Sequence, residues 1–91
     1  MKTIRIETDL LRQIRALPKE DRLAIGNAIQ LAQQQFGQPH RHGGVGVRKL
    51  AGQYFELRVG LDWRLVFKNA PDALVFEFMG THDEVRRFLK G

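Results

Sequence analysis

The chain has 91 residues, of which 43% are hydrophobic, enough for one folded domain with a modest core. It contains no cysteine, which excludes a disulfide framework and any thiolate ligand or nucleophile. A formal net charge of +5 makes nucleic acid or an acidic protein a candidate partner, with plain solubility as the alternative. No apolar run approaches the roughly 20 residues that cross a membrane, and no apolar signal core begins the chain, so we expect a cytoplasmic protein.

The first third of the chain predicts one strand and two helices. The alternating stretch KTIRIE (residues 2–7) indicates a short, half-buried strand. A short helix capped by Thr8 or Asp9 follows, and Pro18 ends it. From Lys19 onward, apolar residues recur at spacings of three and four, which is typical of a helix with one apolar face. These residues are Ile25, Ala28, Ile29, Ala32 and Phe36.

Residues 38–52 form one long irregular segment in this prediction. Gly37 is placed to end the second helix as a left-handed cap, and four more glycines precede the next strand. His40 and His42 flank an arginine. Two histidines at i and i+2 without a partnered carboxylate or thiolate fall short of a ligand set, so we expect no metal and no other cofactor. The role of the two histidines stays open.

Three strands joined by hairpin turns follow, and a short helix closes the chain. The strands are predicted over residues 54–59, 63–68 and 73–79. The closing helix would be capped by Thr81 or Asp83, with Val85, Phe88 and Leu89 facing inward. There is no internal repeat and no linker, so residues 1–91 are predicted to form a single domain.

Alternation sorts the strand residues onto two faces of the sheet. The apolar face, which the amphipathic helix must cover, comprises Phe55, Leu57, Val59, Trp63, Leu65, Phe67, Leu74, Phe76 and Phe78. The second face comprises Glu56, Arg58, Arg64, Val66, Lys68, Val75, Glu77 and Met79. Arg58 and Arg64 would lie nearly opposite each other across a tight hairpin, with Asp62 at the rim. Like charges placed in that way destabilise a sheet, so the pair suggests a bound phosphate. Alternatively, the arginines pair with Glu56 and Glu77 on a solvated face.

Two longer stretches resemble a known family. They are RKLAGQYFELRVGLDWRLVF (residues 48–67) and FMGTHDEVRRFL (residues 78–89), and they are similar to the RelE/ParE superfamily of bacterial toxin–antitoxin toxins. The resemblance covers residues 4–89 and is strongest over residues 48–82. It implies a RelE-like α+β fold: an antiparallel sheet of about four strands, two N-terminal helices packed on one face and a short C-terminal helix. LDWRLVF followed by GTH is similar to the YafQ branch of ribosome-dependent mRNA endonucleases.

The resemblance also implies functional residues. Asp62 and His82 match residues of the YafQ branch, and Arg64 matches the arginine with which RelE-like enzymes hold the scissile phosphate. Histidine is suited to proton transfer near neutral pH, and an aspartate can orient a nucleotide or act as a base. RNA contacts are expected from Arg48, Lys49, Arg58, Lys68 and Arg86. The chain departs from the branch where Arg48 and Arg58 replace histidines and Arg86 replaces an aromatic residue. Without the resemblance, Asp62 is explained as a turn residue and His82 as a surface residue at a helix start.

Three functions are compatible with the sequence. The first is a metal-independent mRNA endoribonuclease, in which a 2′-hydroxyl attacks the adjacent phosphate, with mRNA and the ribosome as partners. The second is a ParE-like inhibitor of DNA gyrase, which needs no proton-transfer residues. The third is a non-toxic binding module of the same fold. Under the first two, the expected protein partner is a cognate antitoxin whose acidic segment covers the basic surface or the helices.

Overall fold

The computed structural model describes residues 2–35, apart from the side chain of Gln35, and residues 46–90. The elements in these two ranges are β1 (Thr3–Ile6), α1 (Thr8–Arg15), α2 (Lys19–Gln35), β2 (Val47–Lys49), β3 (Tyr54–Val59), β4 (Trp63–Asn69), β5 (Ala73–Gly80) and α3 (His82–Lys90). The predictions made for Phe36, Gly37, His40 and His42 lie outside the described residues. Within those residues, no helix is both long and apolar enough to cross a membrane.

The strands form one mixed sheet in the order β1-β5-β4-β3-β2. β1 runs parallel to β5, and the other neighbours are antiparallel. A parallel neighbour needs a crossover connection, and the chain from α1 to β4 supplies it. The α+β class is confirmed, whereas the sheet has five strands rather than about four and is not wholly antiparallel. The extra strand, β2, has three residues, too few for alternation to distinguish it from a loop.

The hydrophobic core lies between one sheet face and the helices α1 and α2. Its buried members are Leu10, Ile14, Ile25, Ile29, Ala32, Leu57, Val59, Leu65, Phe67, Leu74, Phe76 and Met79. Burial of each large aliphatic or aromatic side chain contributes about 1.5–3 kcal/mol. The two N-terminal helices therefore cover one face of the sheet, as predicted.

A β-bulge between β4 and β5 changes which residues of β5 face the core. Val66 pairs with Phe78 and Phe67 with Phe76, so Glu77 is the extra residue. An inserted residue exchanges the faces of all positions beyond it. The prediction that Phe78 faces the core and Met79 the second face is therefore wrong. Met79 is buried in the core, and Phe78 lies on the second face.

The short helix α3 packs on the second face above β4 and β5. Val66 and Val85 are almost fully buried there. Phe88 stacks on Phe78 with ring centroids 4.6 Å apart, yet it keeps 36% of its surface exposed. The inward position of Val85 is confirmed, but Leu89 is 38% exposed, contrary to prediction. α3 consequently covers only part of the second face and leaves its charged part accessible.

Candidate functional site

The hairpin of β3 and β4 places two arginines directly opposite each other, as predicted. Arg58 pairs with Arg64 in the sheet register. Gly60 begins the turn with φ of +63°, in the left-handed region that glycine adopts without strain. The Arg58 side chain is exposed and has no ion-pair partner among the described residues. Arg64 is less exposed, at 18% of its side chain.

A buried carboxylate lies beside this pair. Glu56 is only 3% exposed, and its Oε1 accepts a hydrogen bond of 2.8 Å from Nη1 of Arg64. Its Oε2 lies 3.5 Å from Nη2 of Arg48 on the neighbouring strand. Arg48 pairs with Glu56 in the register, and Arg58 follows Glu56 by two residues, so all four share the second face. We call Arg48, Arg58 and Arg64 around Glu56 the arginine cluster.

The arginine cluster has features of both predicted arrangements of the charged face, the phosphate site and the arginines paired with glutamates. Glu56 pairs with Arg64, as the solvated-face alternative requires. One carboxylate against three guanidiniums nevertheless leaves two positive charges of the cluster uncompensated. Arginine in such a position binds phosphate through its fork of N–H donors. The cluster therefore keeps the capacity to bind an anion.

His82 begins α3 at the same end of the sheet as the arginine cluster. Gly80 is the register partner of Arg64, and His82 follows two residues later. A Cβ atom added to Gly80 would lie 2.9 Å from Cβ of Glu84 and 3.1 Å from the ring of Phe78. Because a side chain does not fit there, glycine lets the start of α3 approach the end of β5 closely. His82 is exposed, so its side chain is accessible to a ligand at this end of the sheet.

A capping box fixes the backbone around His82. The Thr81 N–H donates to Oε1 of Glu84 at 2.8 Å, and the Glu84 N–H donates to the Thr81 hydroxyl oxygen at 3.3 Å. Of the two predicted caps, Thr81 is therefore the one that caps α3. The Thr81 backbone N–H, then its hydroxyl, and to a smaller extent positive Arg87 hold the pKa of Glu84 below its ordinary value of 4.5.

This lowered pKa predicts how stability changes with pH. Because the folded protein holds the Glu84 proton less tightly than the unfolded chain does, the contribution of Glu84 is complete above pH 4.5. It is lost as the pH falls through the folded-state pKa. We expect Glu84→Gln to melt a few degrees below the parent at pH 7, with the gap closing as the pH falls towards 3. Thermal melts followed by circular dichroism across this range measure the effect.

Asp83→Asn is the matched control for this comparison. It removes a charge from the same helical turn, where Asp83 makes no side-chain hydrogen bond to any described residue. Its pH dependence therefore reports the helix-dipole contribution alone. A gap between the parent and Glu84→Gln that stays constant from pH 7 to 3 would contradict the capping role of the Glu84 carboxylate.

Asp62 lies at the tip of the hairpin, on the side of α2. It lines a cavity of about 160 Å³ together with Asp21 and Ala24 of α2 and with Val59 and Trp63 of the sheet. Val59 and Trp63 pack against the core, which identifies this side as the helix-covered one. In the described part of the chain, Asp62 makes no hydrogen bond or ion pair. Asp62, Arg64 and His82 all lie at one end of the sheet, but Asp62 lines the cavity on the side of α2, whereas Arg64 lies on the second face.

The remaining predicted RNA contacts are dispersed. Lys49, on the edge strand β2, pairs with Phe55 of β3. It follows Arg48 directly, so its side chain points to the opposite face of the sheet. Lys68 shares the second face with Arg64, towards the other end of β4, and its Nζ lies 3.7 Å from Oε2 of Glu77. Arg86 is exposed on α3. Of this set, Arg48 and Arg58 therefore belong to the arginine cluster, and the other three lie outside it.

The architecture is that of the RelE-like toxins, which confirms the fold implied by the sequence resemblance. The isolated E. coli RelE toxin superposes with a TM-score of 0.68 at 11% identity, covering 97% of this chain and 99% of that chain. A chain of the RelB–RelE antitoxin–toxin complex of Methanococcus jannaschii gives 0.66 at 14% identity, with 92% and 96% covered. A chain of the E. coli DinJ–YafQ complex gives 0.61 at 19% identity, with 93% and 98% covered. No protein-family model and no curated protein sequence matches the chain.

Proposed function

We propose that the chain is the toxin of a type II toxin–antitoxin system and that it cleaves mRNA at the ribosome without a metal ion. The observation that supports the proposal is the register pair of Arg64 and Gly80, because His82 begins α3 two residues after Gly80, at the same end of the sheet as Arg64. In the proposal, Arg64 binds the phosphate and His82 transfers the proton. The fold shared with the RelE and YafQ toxins supports a toxin, and the ribonuclease activity is proposed from the sequence resemblance to the YafQ branch.

The proposed reaction is attack of a 2′-hydroxyl on the adjacent phosphorus, which leaves a cyclic phosphate and frees the 5′-oxygen. Charge on the pentavalent phosphorane is stabilised by preorganised cations, and Arg64 and Arg58 supply them. His82 accepts the proton of the attacking 2′-hydroxyl or donates one to the leaving 5′-oxygen, and solvent water exchanges the proton at the other oxygen. Asp62, at the hairpin tip, orients a nucleotide. Arg48, Lys49, Lys68 and Arg86 attract the RNA backbone.

Primer extension on a defined mRNA, with and without programmed ribosomes, tests the proposal. We expect cuts that require ribosomes and that fall about 10²–10⁴-fold in rate in His82→Ala, the range for loss of a general acid or base. Asp83→Ala is the control, because it changes the next exposed residue of the same helical turn. Cleavage by His82→Ala at the parent rate would remove the histidine from the mechanism.

A ParE-like inhibitor of DNA gyrase is the second candidate. The observation that favours it is the position of Asp62 on the helix side of the hairpin, which separates this carboxylate from the sheet face that carries the arginine cluster. An inhibitor needs only a binding surface. Inhibition of gyrase supercoiling by the purified chain, together with intact transcripts in the primer-extension assay, would select this function over the ribonuclease.

The proposed protein partner is an antitoxin with an acidic and partly apolar segment. Leu23 and Leu31, eight residues apart on α2, expose 57% and 45% of their surfaces. On the other side of the sheet, Phe88 and Leu89 line an open groove of about 570 Å³ together with Lys68. Apolar side chains next to lysine and arginine suit an acidic amphipathic segment. Both surfaces expected for antitoxin binding, the helices and the basic face, therefore carry suitable residues.

A further inference from the structure

We infer that Glu56 is a positioning residue for Arg64: its buried carboxylate fixes the guanidinium so that the free N–H groups face a bound RNA phosphate. This inference rests on the proposed function, and it concerns a residue that does not itself touch the substrate. Glu56 is set on β3, between β2 and β4, and it is the one buried charged residue in the described part of the chain. A buried charge on an inner strand of a sheet has little freedom to move, which suits it to orient a neighbour.

The contacts of Arg64 show which of its donors remain free. Nη1 donates to Glu56, and this is the one side-chain hydrogen bond that Arg64 makes to the described residues. No buried side-chain nitrogen or oxygen in these residues lacks a partner. Because Nε and Nη2 of Arg64 have no partner, they must reach solvent. A guanidinium has five N–H donors in a rigid fork, so fixing one nitrogen sets the direction of the others.

The other oxygen of Glu56 is also occupied. Oε2 lies 3.5 Å from Nη2 of Arg48, which keeps 62% of its side chain exposed. With each oxygen facing a different guanidinium and only 3% of the residue exposed, the carboxylate is held from both sides and is poorly accessible to a substrate hydroxyl. Glu56 therefore acts through Arg64 rather than as a base. Its negative charge also reduces the repulsion between Arg58 and Arg64, which lets the arginines share one face.

Two possible roles of Glu56 predict different results for Glu56→Gln: neutralising the charge of the arginines affects RNA binding, whereas positioning Arg64 affects the rate of the chemical step. Loss of a negative charge beside the RNA should strengthen electrostatic binding, or at least not weaken it. Loss of a fixed guanidinium should slow the chemical step, because preorganisation acts on the transition state. We expect kcat for ribosome-dependent cleavage to fall at least tenfold with KM unchanged or lower. Glu56→Asp, which keeps the charge but retracts the carboxylate by one methylene, should also lower kcat.

Glu77→Gln is the matched control. Glu77 also pairs with a cation, Lys68, on the neighbouring strand, but towards the other end of β4 from Arg64. The substitution Glu77→Gln changes the net charge by the same amount as Glu56→Gln, and we expect it to leave kcat unchanged. A parental kcat in Glu56→Gln would overturn the inference, as would an equal fall in Glu77→Gln. Thermal melts confirm that each variant is folded. If Glu56→Gln does not fold, the kcat of Glu56→Asp provides the test instead.

Nuclear magnetic resonance of the arginine side chains separates this inference from the proposed ribonuclease activity. In the parent, the held guanidinium of Arg64 should give resolved Nη–H signals that shift on addition of inorganic phosphate. In Glu56→Gln they should coalesce as the group rotates freely. A parent that cuts no RNA but shows this change refutes the ribonuclease and supports positioning. A parent that cuts RNA while its Arg64 signals match those of Glu56→Gln supports the ribonuclease and refutes positioning.

Discussion

Replacing Phe76 with alanine is expected to lower the free energy of unfolding by about 3–5 kcal/mol, the range for a large aromatic side chain removed from a packed core. Phe76 is fully buried on β5, and its ring centroid lies 4.9 Å from that of Phe67 on β4. It pairs with Phe67 in the sheet register and directly precedes the bulge residue Glu77. A domain of this size has a total stability of about 5–15 kcal/mol, so a large part of it would be lost.

Urea unfolding followed by circular dichroism measures this change, and Leu61→Ala is the control. Leu61 lies in the hairpin turn with 92% of its surface exposed, so its replacement should alter stability by no more than about 0.5 kcal/mol. If Phe76→Ala cost less than about 1 kcal/mol, the core could not be packed between the sheet and the two N-terminal helices as described.

The order of the elements and one face of the sheet were predictable from the sequence because both depend on local patterns. Alternation in β3 and β4 and a link of three residues fix a tight hairpin, and this alone places Arg58 opposite Arg64. Spacings of three and four in α2 identify the helix face that covers the core. The hairpin rule therefore yields the Arg58–Arg64 pair, whereas the contacts of Glu56 with Arg48 and Arg64 depend on the folded structure.

The bulge in β5 was not predictable in the same way. The stretch ALVFEFMG alternates well enough to suggest an unbroken strand, and Phe78 is as apolar as Phe76. The choice between faces is made by tertiary packing: Phe78 gains a stacked partner in Phe88, and Met79 fills the core. Such a bulge depends on contacts between distant parts of the chain, which a pattern of period two cannot contain.

The sequence around two residues of the site region, Thr81 and Glu56, contains information about their structural roles. Thr81 followed three residues later by Glu84 has the spacing of a capping box, which would have selected Thr81 over Asp83 as the cap. Glu56 is an acid between two apolar residues of a strand, a position that usually faces solvent, and a glutamate is rarely buried unless it is paired with a cation. The sequence identified it as a partner for arginine, but its burial and its two arginine contacts required the structure.

Replacing Arg64 with alanine is expected to slow RNA cleavage about 10²–10³-fold, the effect of removing one preorganised donor to a charged transition state. Arg64 is the member of the arginine cluster with a fixed geometry, because it combines a 2.8 Å bond to Glu56 with free N–H groups that reach solvent. Arg58 is exposed without such a restraint, so Arg58→Ala should have a smaller effect on kcat. Single-turnover cleavage with programmed ribosomes separates this loss from any change in binding.

Two further variants decide what Arg64 contributes. Arg64→Lys keeps the charge and a partner for Glu56 but loses the planar fork, so a slow rate in this variant assigns the effect to geometry rather than to charge. Arg15→Ala removes the same charge from α1, which packs on the opposite face of the sheet, and should cleave at the parent rate. If Arg15→Ala and Arg64→Ala slowed cleavage equally, net charge alone would account for the arginine cluster. If Arg64→Ala cleaved like the parent while folded, the phosphate would have to be held elsewhere, and Arg58, the exposed register partner of Arg64, would be the next residue to replace.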